Sequence, residues 1–196
     1  MGTIDMEERF VLRNARHLAA DYMRRTIRPG DTVVDATMGN GKDTLFLAEL
    51  VGENGHVHAF DVQAEAVERT RERVIEAGFE QRVTLHLAGH ETMREHVQPG
   101  VQAIMFNLGW LPGAQHAVTT LMHTTLEAAK AACELIAPGG IVTICVYPGH
   151  DEGKRELCAL DEWAAGLSVR TYNVLRHHFV NAAEHTPQLL LIQKNG

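Results

Sequence analysis

The feature that most constrains this chain is an alternation. Short apolar, β-branched runs recur along it, and each gives way to an amphipathic stretch of helical period. The runs fall at residues 32–36, 56–61, 82–87, 103–107 and 141–147; helical stretches over 43–51, 64–77, 91–96 and 117–136 separate them, and one over 152–165 follows the last. Strands joined through helices lie parallel with right-handed crossovers, so the pattern predicts a doubly wound α/β sheet with helices on both faces. Gly and Pro supply the punctuation. Pro29 and Gly30 close a first amphipathic helix over 6–27, Gly78 stands at a helix C-terminus, and Pro138, Gly139 and Gly140 end the long helix before the fifth strand. Two final strands, over 168–175 and 189–193, have no helical segment between them and pair as a hairpin. The expectation is a seven-stranded, mostly parallel sheet with one antiparallel strand, in a single domain over 1–196.

Composition narrows the function before any motif is read. Hydrophobic residues make up 45% of the chain, enough for a full core. Against 18 Lys and Arg stand 25 Asp and Glu, a formal charge of −7 that excludes a protein coating nucleic acid by charge alone. Cys133, Cys145 and Cys158 are odd in number and form no CxxC pair, so neither a disulfide framework nor a zinc knuckle is expected, and reduced thiols point to the cytoplasm. No apolar run approaches the roughly 18 residues of a membrane span. The charged start MGTIDMEERF is unlike a signal peptide, so no membrane partner is expected.

Ligands of doubly wound sheets sit at the carboxyl ends of the strands. The first strand runs into DATMGNGKDT, in which Gly39 and Gly41 allow close approach of backbone. Thr44 occupies the place of the third glycine of a dinucleotide fingerprint, and a P-loop would need Gly at Ala36 and Ser or Thr at Asp43. Asp35, a carboxylate where a dinucleotide enzyme holds pyrophosphate, would repel phosphate and attract a cation. S-adenosylmethionine, positive at its ammonium and its sulfonium, suits such a site, with Thr37, Gly39, Asn40, Gly41 and Asp43 as further contacts. Asp61 ends the second strand and is placed to accept from both ribose hydroxyls, with Gln63 beside it. After the third strand Gly89 permits close approach, and His90 either meets an adenine edge or caps a turn. The sequence HETMR lacks the second His of a zinc motif, so no metal is expected.

The fourth strand ends in FNLGWLPG. Asn107 offers an amide oxygen and Leu108 a carbonyl, two acceptors able to hold an amine with its lone pair aimed at a methyl group. Gly109, Trp110, Leu111 and Pro112 continue this substrate rim, with Trp110 either stacking on a base or packing within its loop. The layout partly resembles the NPPY tetrad of amine-directed nucleic-acid methyltransferases, without its prolines. The fifth strand brings Tyr147 and His150 to the same rim, His150 as a base, a substrate-orienting group or a helix cap. Arg9, Arg13 and Arg16 share one face of the expected first helix, followed by Arg24, Arg25 and Arg28; the set reads either as a phosphate-contacting stripe or as a solvated face.

Taken together, DATMGNGKDT, AFDVQ, GHE, FNLGWLPG, the pair Thr119 and Thr120, and YPGHDEGK resemble one bacterial family. It was once labelled rRNA methylases and is now understood as tRNA 5-aminomethyl-2-thiouridine methyltransferases of the MnmM type; the resemblance covers nearly the whole chain. It implies a Rossmann-like class I methyltransferase fold, S-adenosylmethionine as cofactor and tRNA as a transient partner. The wobble 5-aminomethyl-(2-thio)uridine would gain a methyl on its aminomethyl nitrogen. Cofactor roles would fall on Asp35, Gly39, Asn40, Gly41, Asp61, Gln63 and His90, and the substrate end on Asn107 to Pro112 with His150. Asn107, Trp110 and His150 are the catalytic candidates. Two stretches depart from the family pattern: Ala114 and Gln115 replace Gly-Asp, and Asn181, Ala182, Glu184, Thr186 and Pro187 stand for NQxNxPP. A ribosomal-RNA or small-molecule amine methyltransferase and a non-catalytic cofactor-binding module remain open alternatives, as does a homodimer.

Overall fold

The computed structural model describes residues 12–109 and 119–196. Arg9, together with Trp110, Leu111 and Pro112 of the substrate rim and the departures at Ala114 and Gln115, lies outside them. Helix α1 (Ala15–Thr26) starts where Asn14 caps it, the Asn14 side chain accepting the His17 N–H at 3.1 Å. Its buried residues Ala15, Leu18, Ala19 and Met23 follow helical spacing along one face. The expected helix over 6–27 is corrected at this end, because residues 12–14 are not helical. Arg13 therefore precedes the helix that carries Arg16.

The strands are β1 (Thr32–Asp35), β2 (His56–Asp61), β3 (Val83–Leu87), β4 (Val101–Asn107), β5 (Ile136–Val146), β6 (Tyr172–His177) and β7 (Gln188–Lys194). They form one sheet in the order β3-β2-β1-β4-β5-β7-β6, in which β7 is antiparallel to both its neighbours and the other pairings are parallel. The central strands are nearly continuous buried apolar runs, as a sheet covered on both faces requires. On one face Val33, Val57 and Met105 pack with α1 and with Leu47 and Ala48 of α2 (Lys42–Val51), while α3 (Ala64–Glu76) packs against β2 and β3. On the other, Val34, Phe60, Ile104 and Phe106 pack with Met93 of α4 (Met93–His96), Ala128 and Ala132 of α5 (Met122–Leu135) and Leu160 of α6 (Asp151–Ala165). Strand order reverses between β1 and β4, so a crevice opens where these two strands end.

Other boundaries differ from the sequence reading as well. Helix α5 begins at Met122 rather than near 117, because Thr120 is taken up by the β4 loop: Gly109 N–H donates to its Oγ1 at 3.0 Å, and its own N–H donates to Gly109 O at 3.1 Å. The fifth strand already begins at Ile136, paired with Val101, and Pro138, Gly139 and Gly140 lie in a register shift before Ile141 pairs with Ala103. Gly139, at φ +78°, supplies the turn in the chain that an L side chain would resist. The sixth strand sits later than expected, at Tyr172–His177, on an edge whose residues are mostly exposed and show no burial alternation. No helix among the described residues is long and apolar enough to cross a membrane.

Candidate functional site

The carboxyl ends of the strands carry a cavity of about 840 Å³. Thr37, Gly39, Asn40, Asp43, Asp61 and Gln63 line it from the β1 and β2 sides. Gly89 and His90 line it after β3, Asn107, Leu108 and Gly109 after β4, and Tyr147 and His150 after β5. The sequence-predicted cofactor and substrate ends thus belong to one space. Asp35 and Gly41 are the exceptions among the described candidates.

Asp35 lies beneath the floor, 1% exposed. Its carboxylate accepts from Thr44 Oγ1 at 2.6 Å and from Thr37 N–H at 3.1 Å, tying the start of α2 and the β1 loop to the end of the strand. Burial, then the nearby charge of Asp43, pushes its pKa up to about 7. In this structure Asp35 supports the loop from beneath the cavity. Thr44, read from sequence only as a missing glycine, is its buried partner.

Gly41 is also structural. At φ +76° it forms the left-handed N-cap of α2, and a Cβ there would lie 2.9 Å from Thr70 Oγ1 and 3.1 Å from Thr70 Cα. Thr70 Oγ1 in turn donates to Gly39 O at 3.1 Å, and Arg69 donates to Asn40 Oδ1 at 3.1 Å. The glycine loop is thereby clamped to α3 with Gly39 facing the cavity.

Asp61 does face the cavity. It accepts Gly39 N–H at 3.1 Å on Oδ2 and Gln63 N–H at 2.9 Å on Oδ1, and burial raises its pKa against these bonds. The Val62 backbone and the Gln63 side chain also hydrogen-bond it, so a ligand hydroxyl would share or displace these bonds. His90 is 8% exposed, and burial lowers its pKa, which favours the neutral ring. Its Nδ1 lies 3.3 Å from Ala36 O. A carbonyl only accepts, so the proton sits on Nδ1 and Nε2 is left as an acceptor.

At the other end a continuous chain of polar side chains crosses the cavity. Arg16 Nη2 donates to Asp43 Oδ1 at 2.6 Å, Asn107 Nδ2 donates to Asp43 Oδ2 at 3.2 Å, and Tyr147 Oη donates to Asn107 Oδ1 at 2.8 Å. The Asn107 backbone N–H donates to Thr37 Oγ1 at 2.7 Å. These bonds fix the Asn107 amide with its nitrogen toward Asp43 and its oxygen toward the rim. Burial pushes the Tyr147 phenol up to about 12, so it remains a donor. Arg16 is the residue that sequence reasoning misplaced: its helix turns it into the site, not along an external stripe. Its spacing in the sequence carried no signal of this, because Asp43 is 27 positions away.

His150 caps α6, its Nδ1 accepting Gly153 N–H at 3.1 Å. In the neutral ring the proton then lies on Nε2. Of the roles left open by the sequence, the cap is the one built here. Among the described residues no group of three or more His, Cys, Asp or Glu side chains is arranged to hold a metal ion.

Comparison with known proteins places this geometry. A family model described as "Putative rRNA methylase" matches residues 57–193. The chain is 36% identical over 182 residues to the chloroplastic tRNA (mnm(5)s(2)U34)-methyltransferase of Arabidopsis thaliana, covering 88% of this chain and 66% of that protein. It spans just under two thirds of that relative's length. Among solved structures, a "putative rRNA-methylase" from Clostridium thermocellum superposes with a TM-score of 0.92 at 40% identity, covering 94% of this chain and 100% of the other. A "putative methyltransferase" from Streptococcus mutans, solved in complex with SAH (S-adenosylhomocysteine), gives a TM-score of 0.85 at 34% identity, with 94% and 99% covered.

Proposed function

The chain belongs to the family described as "Putative rRNA methylase", class I methyltransferases whose cofactor is S-adenosylmethionine, and on that premise we propose that it methylates RNA. The specific reaction proposed is transfer of a methyl to the aminomethyl nitrogen of 5-aminomethyl-(2-thio)uridine at the tRNA wobble position. The similarity to the chloroplastic wobble-uridine enzyme supports the choice of substrate. The observation that carries the reading is the cavity joining Asp61 to the Arg16–Asp43–Asn107–Tyr147 chain, with a nucleoside acceptor at one end and an amine acceptor at the other.

The residues present fit the cofactor. Asp61 in the cavity wall would accept from the ribose hydroxyls, the Gly39 backbone allows close approach, and His90 Nε2 would accept from an adenine amino group. Bound there, S-adenosylmethionine supplies an electrophilic methyl group on a sulfonium.

The protein's share of the chemistry is alignment. Asn107 Oδ1, already accepting from Tyr147, keeps a second lone pair, and Leu108, the next residue on the cavity wall, has its carbonyl as the proposed second acceptor. Two acceptors on an amine's N–H bonds orient its lone pair away from them. The amine must arrive neutral, and burial next to a cationic group lowers an ammonium pKa, so no strong base is required of the protein. His150, through its cap on α6, fixes the rim on which the substrate would sit.

Incubation of the protein and S-adenosylmethionine with tRNA bearing 5-aminomethyl-2-thiouridine, followed by nucleoside mass spectrometry, tests the reading. Conversion to the methylaminomethyl nucleoside is expected. Methyl transfer to ribosomal RNA but not to this tRNA would replace the proposed substrate.

A further inference from the structure

A methionine-type ligand carries an ammonium and a carboxylate on neighbouring atoms, and the acidic candidates read from sequence provide for the first alone. Among the described residues, the Arg and Lys side chains lining the cavity are Arg16 and Lys42. Lys42 is an exposed side chain at the first position of α2. Arg16 is held by Asp43, which is itself held by Asn107, and its side chain keeps 41% of its surface open beside a 13% exposed Asp43. Asp43 engages one guanidinium nitrogen of Arg16. A guanidinium has five N–H donors in a planar fork, so the remainder is available to a second carboxylate.

We propose that Arg16 holds the carboxylate of the cofactor's amino-acid moiety while Asp43 takes its ammonium, so that the ion pair between α1 and α2 is the complement of a zwitterion. The assignment rests on the reading of the cavity as an S-adenosylmethionine site. It makes the first helix part of the cofactor site: Asn14 caps α1 two residues before Arg16, and Ala15, Leu18 and Ala19 dock the helix on the sheet, so the guanidinium is presented from a rigid element. It also links the cofactor to the amine-binding end, since Asp43 fixes Asn107.

The test compares two ligands by calorimetry: S-adenosylhomocysteine, which has the amino-acid moiety, and 5′-methylthioadenosine, which lacks it. Arg16→Ala is expected to weaken S-adenosylhomocysteine binding by about tenfold or more, the scale of one charge-assisted pair, and to leave 5′-methylthioadenosine within about twofold. Arg16→Lys, which keeps charge but not the fork, falls between. If Arg16→Ala does not fold, the wild-type protein decides: it must bind S-adenosylhomocysteine at least about tenfold tighter than its carboxamide, with the difference reduced in Arg16→Lys. Unchanged discrimination in the variants overturns the assignment while leaving the cofactor site standing. So does a variant whose only defect is a raised KM for tRNA, which would make Arg16 a phosphate contact. A wild-type protein that binds neither ligand overturns the cofactor reading itself.

Discussion

The ends of β1 and β2 look alike in sequence: each closes an apolar strand with an aspartate just before a helix. In the structure they do opposite things. Asp35 is sealed under the floor and spends its oxygens on Thr44 and Thr37. Asp61 stands in the cavity wall, where its oxygens accept from Gly39 and Gln63. The lesson is that a strand-end carboxylate becomes a ligand group or a scaffold group according to what the following helix offers it. Thr44, in the first turn of α2, reaches back to Asp35; α3 holds its loop partner through Thr70 and Arg69, leaving Asp61 for a ligand.

The largest expected effect is on Asp61. Hydrogen bonds to a charged group contribute roughly 1.5–3 kcal/mol each, so Asp61→Ala is expected to weaken S-adenosylhomocysteine binding by about 100-fold or more, read by calorimetry. Asp61→Asn, keeping one acceptor, should lose about tenfold. Equal affinity in Asp61→Ala and wild type would remove the distinction between the two strand ends.

Asp35→Ala probes the other side of the comparison. It strands the Thr44 hydroxyl and the Thr37 N–H, a cost of roughly 1–3 kcal/mol of folding stability, whereas the ligand affinity of the folded protein should change by less than about threefold. Denaturant unfolding and calorimetry on the same preparation separate the two. A variant of wild-type stability that no longer binds would return Asp35 to the cavity wall.

The titration of Asp35 sharpens the contrast. Its folded pKa, pushed up by burial to about 7 from the usual 3.8, means the folded protein keeps a proton that the unfolded chain releases. The resulting contribution to stability is fully present below about pH 4 and is lost as pH rises to about 7. Its full extent is on the order of a few kcal/mol. Asp35→Asn should therefore show a flatter dependence of Tm on pH between 4 and 7 than wild type; identical slopes would contradict the buried, neutral carboxyl. The smallest effect is expected at His150. With its Nδ1 committed to the α6 cap, His150→Ala should lower kcat/KM by about tenfold, against 100-fold or more for Asn107→Ala; equal losses would make His150 a base.

The alternation of apolar runs and amphipathic helices made the sheet legible, because strands buried on both faces cannot disguise their β-branched content. The edge strand β6 starts four residues later than the sequence suggests, since its side chains are exposed and carry no pattern. Asp61, Gly39, Asn107 and Tyr147 could be found because strand ends and glycine turns are local signals. Arg16 and Thr44 could not be assigned in the same way. Their roles depend on a hydrogen bond across 27 positions and on the pitch of one helix turn, neither of which leaves a periodicity in the chain.

What the cavity accepts decides between a methyl donor and a dinucleotide. Calorimetric titration of the purified protein with S-adenosylhomocysteine and, separately, with NAD addresses it directly. One-site binding of S-adenosylhomocysteine with no heat from NAD is the expected result, and uptake of NAD by a protein that ignores S-adenosylhomocysteine is the result that would contradict it.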